Sequence, residues 1–258
     1  MAKRAAGPQA PLTLRAVVDA LRKRYGPPKP LPTADPFELV LWENVAYLAS
    51  PARRRDAFAT LKRTVGTEPE AILGAKPQAL ESVTARGILE ETFAGKLREC
   101  ASIVLERLDG DLAAAVRGPI DRAKRALCLF PGIGEPGAEK ILLFSGREAL
   151  LAPESNGLRV LCRLGLVTEE KSYAATYAAA RDVAKDLPAK PSVLQEAHLL
   201  LQQHGQTLCK RSAPRCEECP LFPACEYAAA SRSAREQRVP PSKRKGTSTR
   251  GRGRRRLS

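Results

Sequence analysis

Cys209-Lys210-Arg211-Ser212-Ala213-Pro214-Arg215-Cys216-Glu217-Glu218-Cys219-Pro220-Leu221-Phe222-Pro223-Ala224-Cys225 is the stretch on which the reading of this chain turns. Four cysteines spaced C-x6-C-x2-C-x5-C in so short a loop read as the ligands of one metal centre, not as two disulfides. Zinc usually takes two close Cys pairs separated by a longer finger, whereas four thiolates can also hold an iron–sulfur cubane. A first gap of six residues and a second of two do not make a zinc ribbon's paired geometry. The other three cysteines, Cys100, Cys128 and Cys162, are isolated, and Cys128 in Ala126-Leu127-Cys128-Leu129-Phe130 reads as a small hydrophobe. An odd total of seven, with no disulfide framework, points to a reducing compartment.

Working outward, the body reads as all-α. Leu14, Val17, Val18, Leu21 and Tyr25 recur at helical spacing before Gly26-Pro27-Pro28 ends the run. Asp35-Pro36-Phe37-Glu38 is a helix start, with a capping acid, Pro at the first position and Glu at the third. The segment that follows, to about Ala49, is apolar nearly all round and predicts a central buried helix. Further helices are expected over 53–65, 88–109, 120–130, 136–144, 157–165, 172–187 and 192–205, and no period-two alternation competes with them. No stretch has the apolar length of a membrane span, and Met1 to Leu12 lacks the apolar region of a signal peptide. The expectation is a cytoplasmic protein.

The net charge of +15 is uneven: residues 231–258 hold eleven Lys or Arg against one acid. That stretch has too few apolar residues for a core and reads as a disordered basic tail, suited to non-specific phosphate contact. A second informative segment lies between two expected helices, Leu129-Phe130-Pro131-Gly132-Ile133-Gly134, followed by Glu135-Pro136-Gly137-Ala138-Glu139-Lys140. Two glycines around one apolar residue make a tight turn with uncovered amides, and the next helix begins at once, which suits phosphate. Alone, such a turn could equally be a plain helix connection.

Taken together, the Leu-x-Pro-Gly-Ile-Gly hairpin, an acidic residue some twenty positions on and the four-cysteine loop resemble the endonuclease III-like family of DNA glycosylases. Phe37-Glu38-Leu39, Arg159-Val160, His204-Gly205 and Cys225-Glu226-Tyr227 belong to the same resemblance, which runs from about Leu12 to Tyr227. It implies a six-helix barrel domain over 35–148 with its helix–hairpin–helix at 120–146. It also implies an iron–sulfur domain over 149–229 packed with the N-terminal segment 1–34, leaving 230–258 as the tail. It further implies a [4Fe-4S] cluster on Cys209, Cys216, Cys219 and Cys225, and a monomer acting on double-stranded DNA at the nucleoid with the target base flipped out. Phosphate contacts fall on Gly132, Ile133, Gly134, Lys140, Lys210, Arg211 and Arg215.

At the chemical positions the chain departs from that family. The lysine that attacks the sugar in strand-cleaving members is here Pro136, and Lys140 lies one turn further along. Such a chain is expected to excise a base with weak or no strand cleavage. The family's aspartate falls on Glu154, expected to stabilise the developing sugar cation, although an ordinary helix-capping acid would look the same. Glu43, in Leu41-Trp42-Glu43-Asn44-Val45, matches a proton-donating glutamate of the adenine-excising branch, and burial would favour its protonated form. Asn156 also matches that branch, whereas Tyr47-Leu48-Ala49 replaces a Gln-x-Thr stretch. The alternative is a catalytically silent DNA-binding protein that kept hairpin, cluster and basic surface.

Overall fold

Prolines and side-chain caps set most of the helix starts. Residues 12–238 are described by a computed structural model, and every regular element among them is helical, with no strand. Thr13 caps α1 (Leu14–Tyr25) by accepting the Ala16 N–H, and the helix buries Leu14, Val17, Val18 and Leu21. Asp35 caps α2 (Pro36–Asn44) in the same way, and the helix is apolar on nearly every side. Proline opens each of the next three, α3 (Pro51–Thr64), α4 (Pro69–Gly74) and α5 (Pro77–Thr84). Then come α6 (Glu90–Arg107), α7 (Leu112–Arg117), α8 (Ile120–Leu127) and α9 (Glu135–Phe144). The remainder is α10 (Ser155–Arg163), α11 (Tyr173–Ala179), α12 (Pro191–Thr207) and α13 (Glu226–Arg238).

Helix α2 sits where its uniform hydrophobicity requires, against α3, α6, α7 and α9. Helices α4 and α5 flank α6, α8 pairs with α7 and α9, and α12 packs on α1, α9 and α10. A buried ion pair fastens the hairpin helices to the C-terminal half. Glu139 is 1% exposed and accepts from Lys124 Nζ and from the Tyr177 hydroxyl, each at 2.6 Å. Two donors from α8 and α11 thus compensate a carboxylate that would be costly to bury alone.

Several sequence expectations are corrected. Helix α2 stops at Asn44 and does not run to Ala49: Leu48 takes a left-handed backbone, φ 51°, that a right-handed helix cannot contain, and Arg54 and the Ile88 N–H bond the Ala46 and Tyr47 carbonyls. Helices α4, α5 and α7 were not foreseen, being only six to eight residues long and too short to show a period. The helix expected over 172–187 breaks after Ala179 into a 3-10 turn. Of the isolated cysteines, Cys128 is exposed in spite of its apolar neighbours, and Cys100 is buried, its thiol pushed up to about 12 by burial. The first part of the basic tail is not disordered but helical, in α13, and the rest of it, 239–258, lies outside the described residues.

Candidate active site and cysteine loop

The hairpin connects α8 to α9. Gly132 has φ +75°, the left-handed region in which glycine is at home, and Ile133 beneath it is 5% exposed. The Ile133 N–H is spent on the Phe130 carbonyl, so this residue plugs the core and offers phosphate neither side chain nor amide. The amides of Gly132 and Gly134 have no such backbone partner, and both glycines are exposed. At the mouth of α9, Glu135 is paired with Arg181 at 2.6 Å.

Beside the hairpin lies a pocket of about 400 Å³, lined by Trp42, Glu43, Tyr47, Leu48, Arg54, Lys140, Glu154, Asn156, His198, Gln202 and Gln206 among others. The two carboxylates chosen from sequence, Glu43 and Glu154, therefore line one cavity, and Lys140 lines it with them. Lys140 faces inward, its side chain 15% exposed and its Nζ 2.5 Å from Glu43 Oε2, so the expectation of a phosphate contact is not met. Arg54 approaches the same oxygen at 3.9 Å. Burial alone would push the Glu43 carboxyl up, but Lys140 and Arg54 outweigh it and hold the group below its usual range. The expectation of a protonated Glu43 in the free protein is therefore corrected: it stands as a charged partner of Lys140.

Glu154 is the N-cap of α10. Its Oε1 accepts from the amides of Asn156 and Gly157, each at 3.0 Å, and its Oε2 from Asn156 Nδ2 at 2.8 Å and more weakly from Ser155 Oγ at 3.5 Å. Asn156 is held in turn by Arg159, which donates to Asn156 Oδ1 at 2.9 Å, to Gly205 O at 2.8 Å and to Cys209 O at 3.0 Å. One guanidinium thus ties the pocket to the first cysteine of the loop. Burial lowers the Arg159 pKa. Helix α12 approaches this junction so closely that only glycine fits at 205, where a Cβ would stand 2.6 Å from Asn156 O.

The four cysteines surround a second, mostly apolar pocket walled by Val160, Leu164, Leu208 and Phe222. Arg163 Nη1 lies 3.4 Å from Cys209 Sγ, and His204 Nε2 lies 3.4 Å from Cys219 Sγ. Among the described residues no three His, Cys, Asp or Glu side chains converge tightly enough to hold a single metal ion. Of the loop's cations, Lys210, Arg211 and Arg215 are all exposed, and Arg215 makes a two-pronged pair with Glu218 at 2.7 and 2.5 Å.

Two features were not found from sequence. His198 lines the pocket, and its one visible signal was a polar residue within the apolar pattern of α12. The second is a rim of exposed apolar side chains beside the pocket: Tyr47 40%, Leu48 71%, Ile88 51% and Leu89 59% exposed. Leu48 and Leu89 hold left-handed backbones, φ 51° and 57°, and the Ile88 N–H to Tyr47 O bond laces the two loops together. Strained apolar residues held out to solvent are costly, and such side chains can wedge between base steps. Their pairing depends on tertiary contact, so nothing local announces it.

A glycine hairpin beside a carboxylate-lined pocket, backed by a four-thiol loop in an all-helical body, defines the class: a helix–hairpin–helix protein with a metal-type cysteine loop. No family model matches the chain. Endonuclease III of Sulfolobus acidocaldarius is 25% identical over 174 residues, 66% of this chain and 73% of that protein. Endonuclease III of Thermotoga maritima is 23% identical over 195 residues, 75% of this chain and 84% of that protein. A solved non-covalent endonuclease III–DNA complex superposes with a TM-score of 0.68 at 19% identity, over 86% of this chain and 99% of that one. Over these spans the chain is similar in sequence to endonuclease III, and it shares the helical fold of that complex. Among the described residues no helix is long and apolar enough to cross a membrane.

Proposed function

We propose that this chain is a base-excision DNA glycosylase that flips a damaged or mismatched base into the pocket holding Glu43, Lys140 and Glu154, and hydrolyses its glycosidic bond. The observation that carries the reading is that shared pocket, about 400 Å³ and thus within the usual range for a small-molecule site. A silent DNA-binding protein would have no use for two carboxylates and an amine enclosed together beside the hairpin. The partner is double-stranded DNA, bound by a monomer in the cytoplasm at the nucleoid. The amides of Gly132 and Gly134 and the cations Lys210 and Arg211 grip phosphates, and Tyr47, Leu48, Ile88 and Leu89 fill the gap left by the flipped base.

Within the pocket the roles divide by charge. Glu154, fixed by the first turn of α10, presents negative charge to the sugar as cationic character develops at the anomeric carbon. Glu43 is held ionised, so the proton-bearing member of its pair, Lys140, meets the leaving base and Glu43 orients it. Strand cleavage is weak or absent, because Pro136 supplies no amine and the Lys140 amine is engaged by Glu43. Residues 35–148 act as the barrel unit and 149–229, with 12–34, as the cysteine-loop unit. The thiols of Cys209, Cys216, Cys219 and Cys225 hold a [4Fe-4S] cluster, which when bound cross-links the loop, and Arg159 transmits its placement to Asn156. The test is a panel of duplexes carrying damaged or mismatched bases, scored with and without alkali. Base loss with breaks appearing only after alkali is expected; tight binding with no base loss on any duplex would favour the silent binder.

A further inference from the structure

His198 is the one buried titratable group of the pocket with no role in that scheme. Its ring is 3% exposed and stands edge-on to Phe144, centroids 5.1 Å apart. Its Nδ1 lies 2.7 Å from the carbonyl oxygen of Ala152. A carbonyl only accepts, so Nδ1 carries the proton and Nε2 the lone pair. Among the described residues no group bonds Nε2, and His198 lines the pocket. The charges facing the ring are Lys140 from α9 and Glu43 from α2, with Arg54 and Glu154 on the same pocket walls. Burial first, and Lys140 second, depress its pKa to about 4, so the lone pair is available at neutral pH.

The two carboxylates of the pocket are already engaged. Glu154 accepts from the Asn156 and Gly157 amides and from Asn156 Nδ2, with Ser155 Oγ at 3.5 Å. Glu43 accepts from Lys140 through Oε2, with Arg54 3.9 Å from the same oxygen, and orients that amine. We propose that His198 is a catalytic residue that receives the proton of the attacking water, an inference that rests on the glycosylase reading. Water oxygen bonds to the anomeric carbon as the C–N bond breaks, both electrons of that bond leave with the base, and the water proton passes to Nε2. Water bonded to so electron-poor a carbon is a strong acid, so even a weakly basic imidazole suffices. The bond to Ala152 fixes the ring against the segment that leads into Glu154.

His198→Asn keeps a donor near Nδ1 and leaves nothing where Nε2 stood; His198→Gln puts an amide oxygen near Nε2. The full chain and both variants are compared in single turnover on the duplex panel and in binding to a duplex carrying a tetrahydrofuran abasic analogue. Expected are analogue binding within about threefold of wild type and an excision rate lowered about 10²-fold or more in His198→Asn, partly recovered in His198→Gln. An active wild type matched in rate by His198→Asn would overturn this assignment alone. A wild type that binds the analogue but excises no base would overturn the glycosylase reading and this assignment with it. Nitrogen-15 spectra showing the proton on Nε2 at neutral pH would overturn the assignment whatever the variants do.

Discussion

Gly205 is the position where a single methyl group tests how helix packing places the Glu154 carboxylate. A Cβ there would lie 2.6 Å from Asn156 O, 2.8 Å from Asn156 Cβ and 2.9 Å from Asn156 C. Two of those atoms are backbone, so no rotamer change relieves the clash, and α10 and α12 must separate by several tenths of an ångström. Overpacking of this kind costs about 1–3 kcal/mol. At this chain length that corresponds to a melting temperature lowered by about 3–10 °C. The displacement falls on Asn156, which donates two hydrogen bonds to Glu154, and on the Gly205 carbonyl, which accepts from Arg159. Misplacement approaching 1 Å can cost about 10²-fold in rate. Gly205→Ala is therefore expected to lower both the thermal midpoint, followed by helical circular dichroism, and the single-turnover rate, while leaving affinity for an abasic-analogue duplex nearly unchanged. A variant equal to wild type in midpoint and rate would refute the claim that this contact holds Glu154 in register.

Four further outcomes follow from other parts of the molecule. Borohydride should trap little protein on abasic DNA, and Pro136→Lys should raise the yield by returning an amine to the first turn of α9; efficient trapping by the wild type that Lys140→Ala abolishes would make Lys140 the nucleophile. The purified protein should carry about four irons, as a cubane requires, and Cys216→Ser should lose iron and soften the C-terminal half; stoichiometric zinc without iron would contradict the cluster. His198 binds no proton in the folded chain until about pH 4, whereas its unperturbed value is 6.5. The unfolded state thus binds more protons between those values, so stability falls as pH drops through that window, by up to about 3 kcal/mol from this group. Urea titrations should show a smaller loss in His198→Asn, and an equal loss would dismiss the shift. Leu48→Gly should stabilise the fold by about 1 kcal/mol by relieving a left-handed backbone, yet weaken binding to an abasic duplex; unchanged binding would remove Leu48 from the wedge.

The local chemistry of the chain was legible because each element of it sits within a short stretch. Asp35-Pro36 fixed the start of α2, whose all-round hydrophobicity placed it at the centre. Gly132-Ile133-Gly134 marked the turn into α9, and the spacing of Cys209, Cys216, Cys219 and Cys225 marked their common pocket. Glu43 and Glu154 could be chosen as carboxylates, but their charge states could not, because protonation depends on which cations arrive from elsewhere in the chain. Lys140, ninety-seven residues from Glu43, closes on it at 2.5 Å and reverses the effect of burial. The His198 tautomer was not legible, because it is fixed by the Ala152 carbonyl forty-six residues away. The apolar rim exists because two loops some forty residues apart are laced at Tyr47 and Ile88. Sequence determined which residues cap or bury and which cysteines share a loop, since those preferences act over one or two helical turns; tertiary structure decided which distant charges meet and which tautomer a buried ring adopts, since electrostatics and hydrogen bonding act through space.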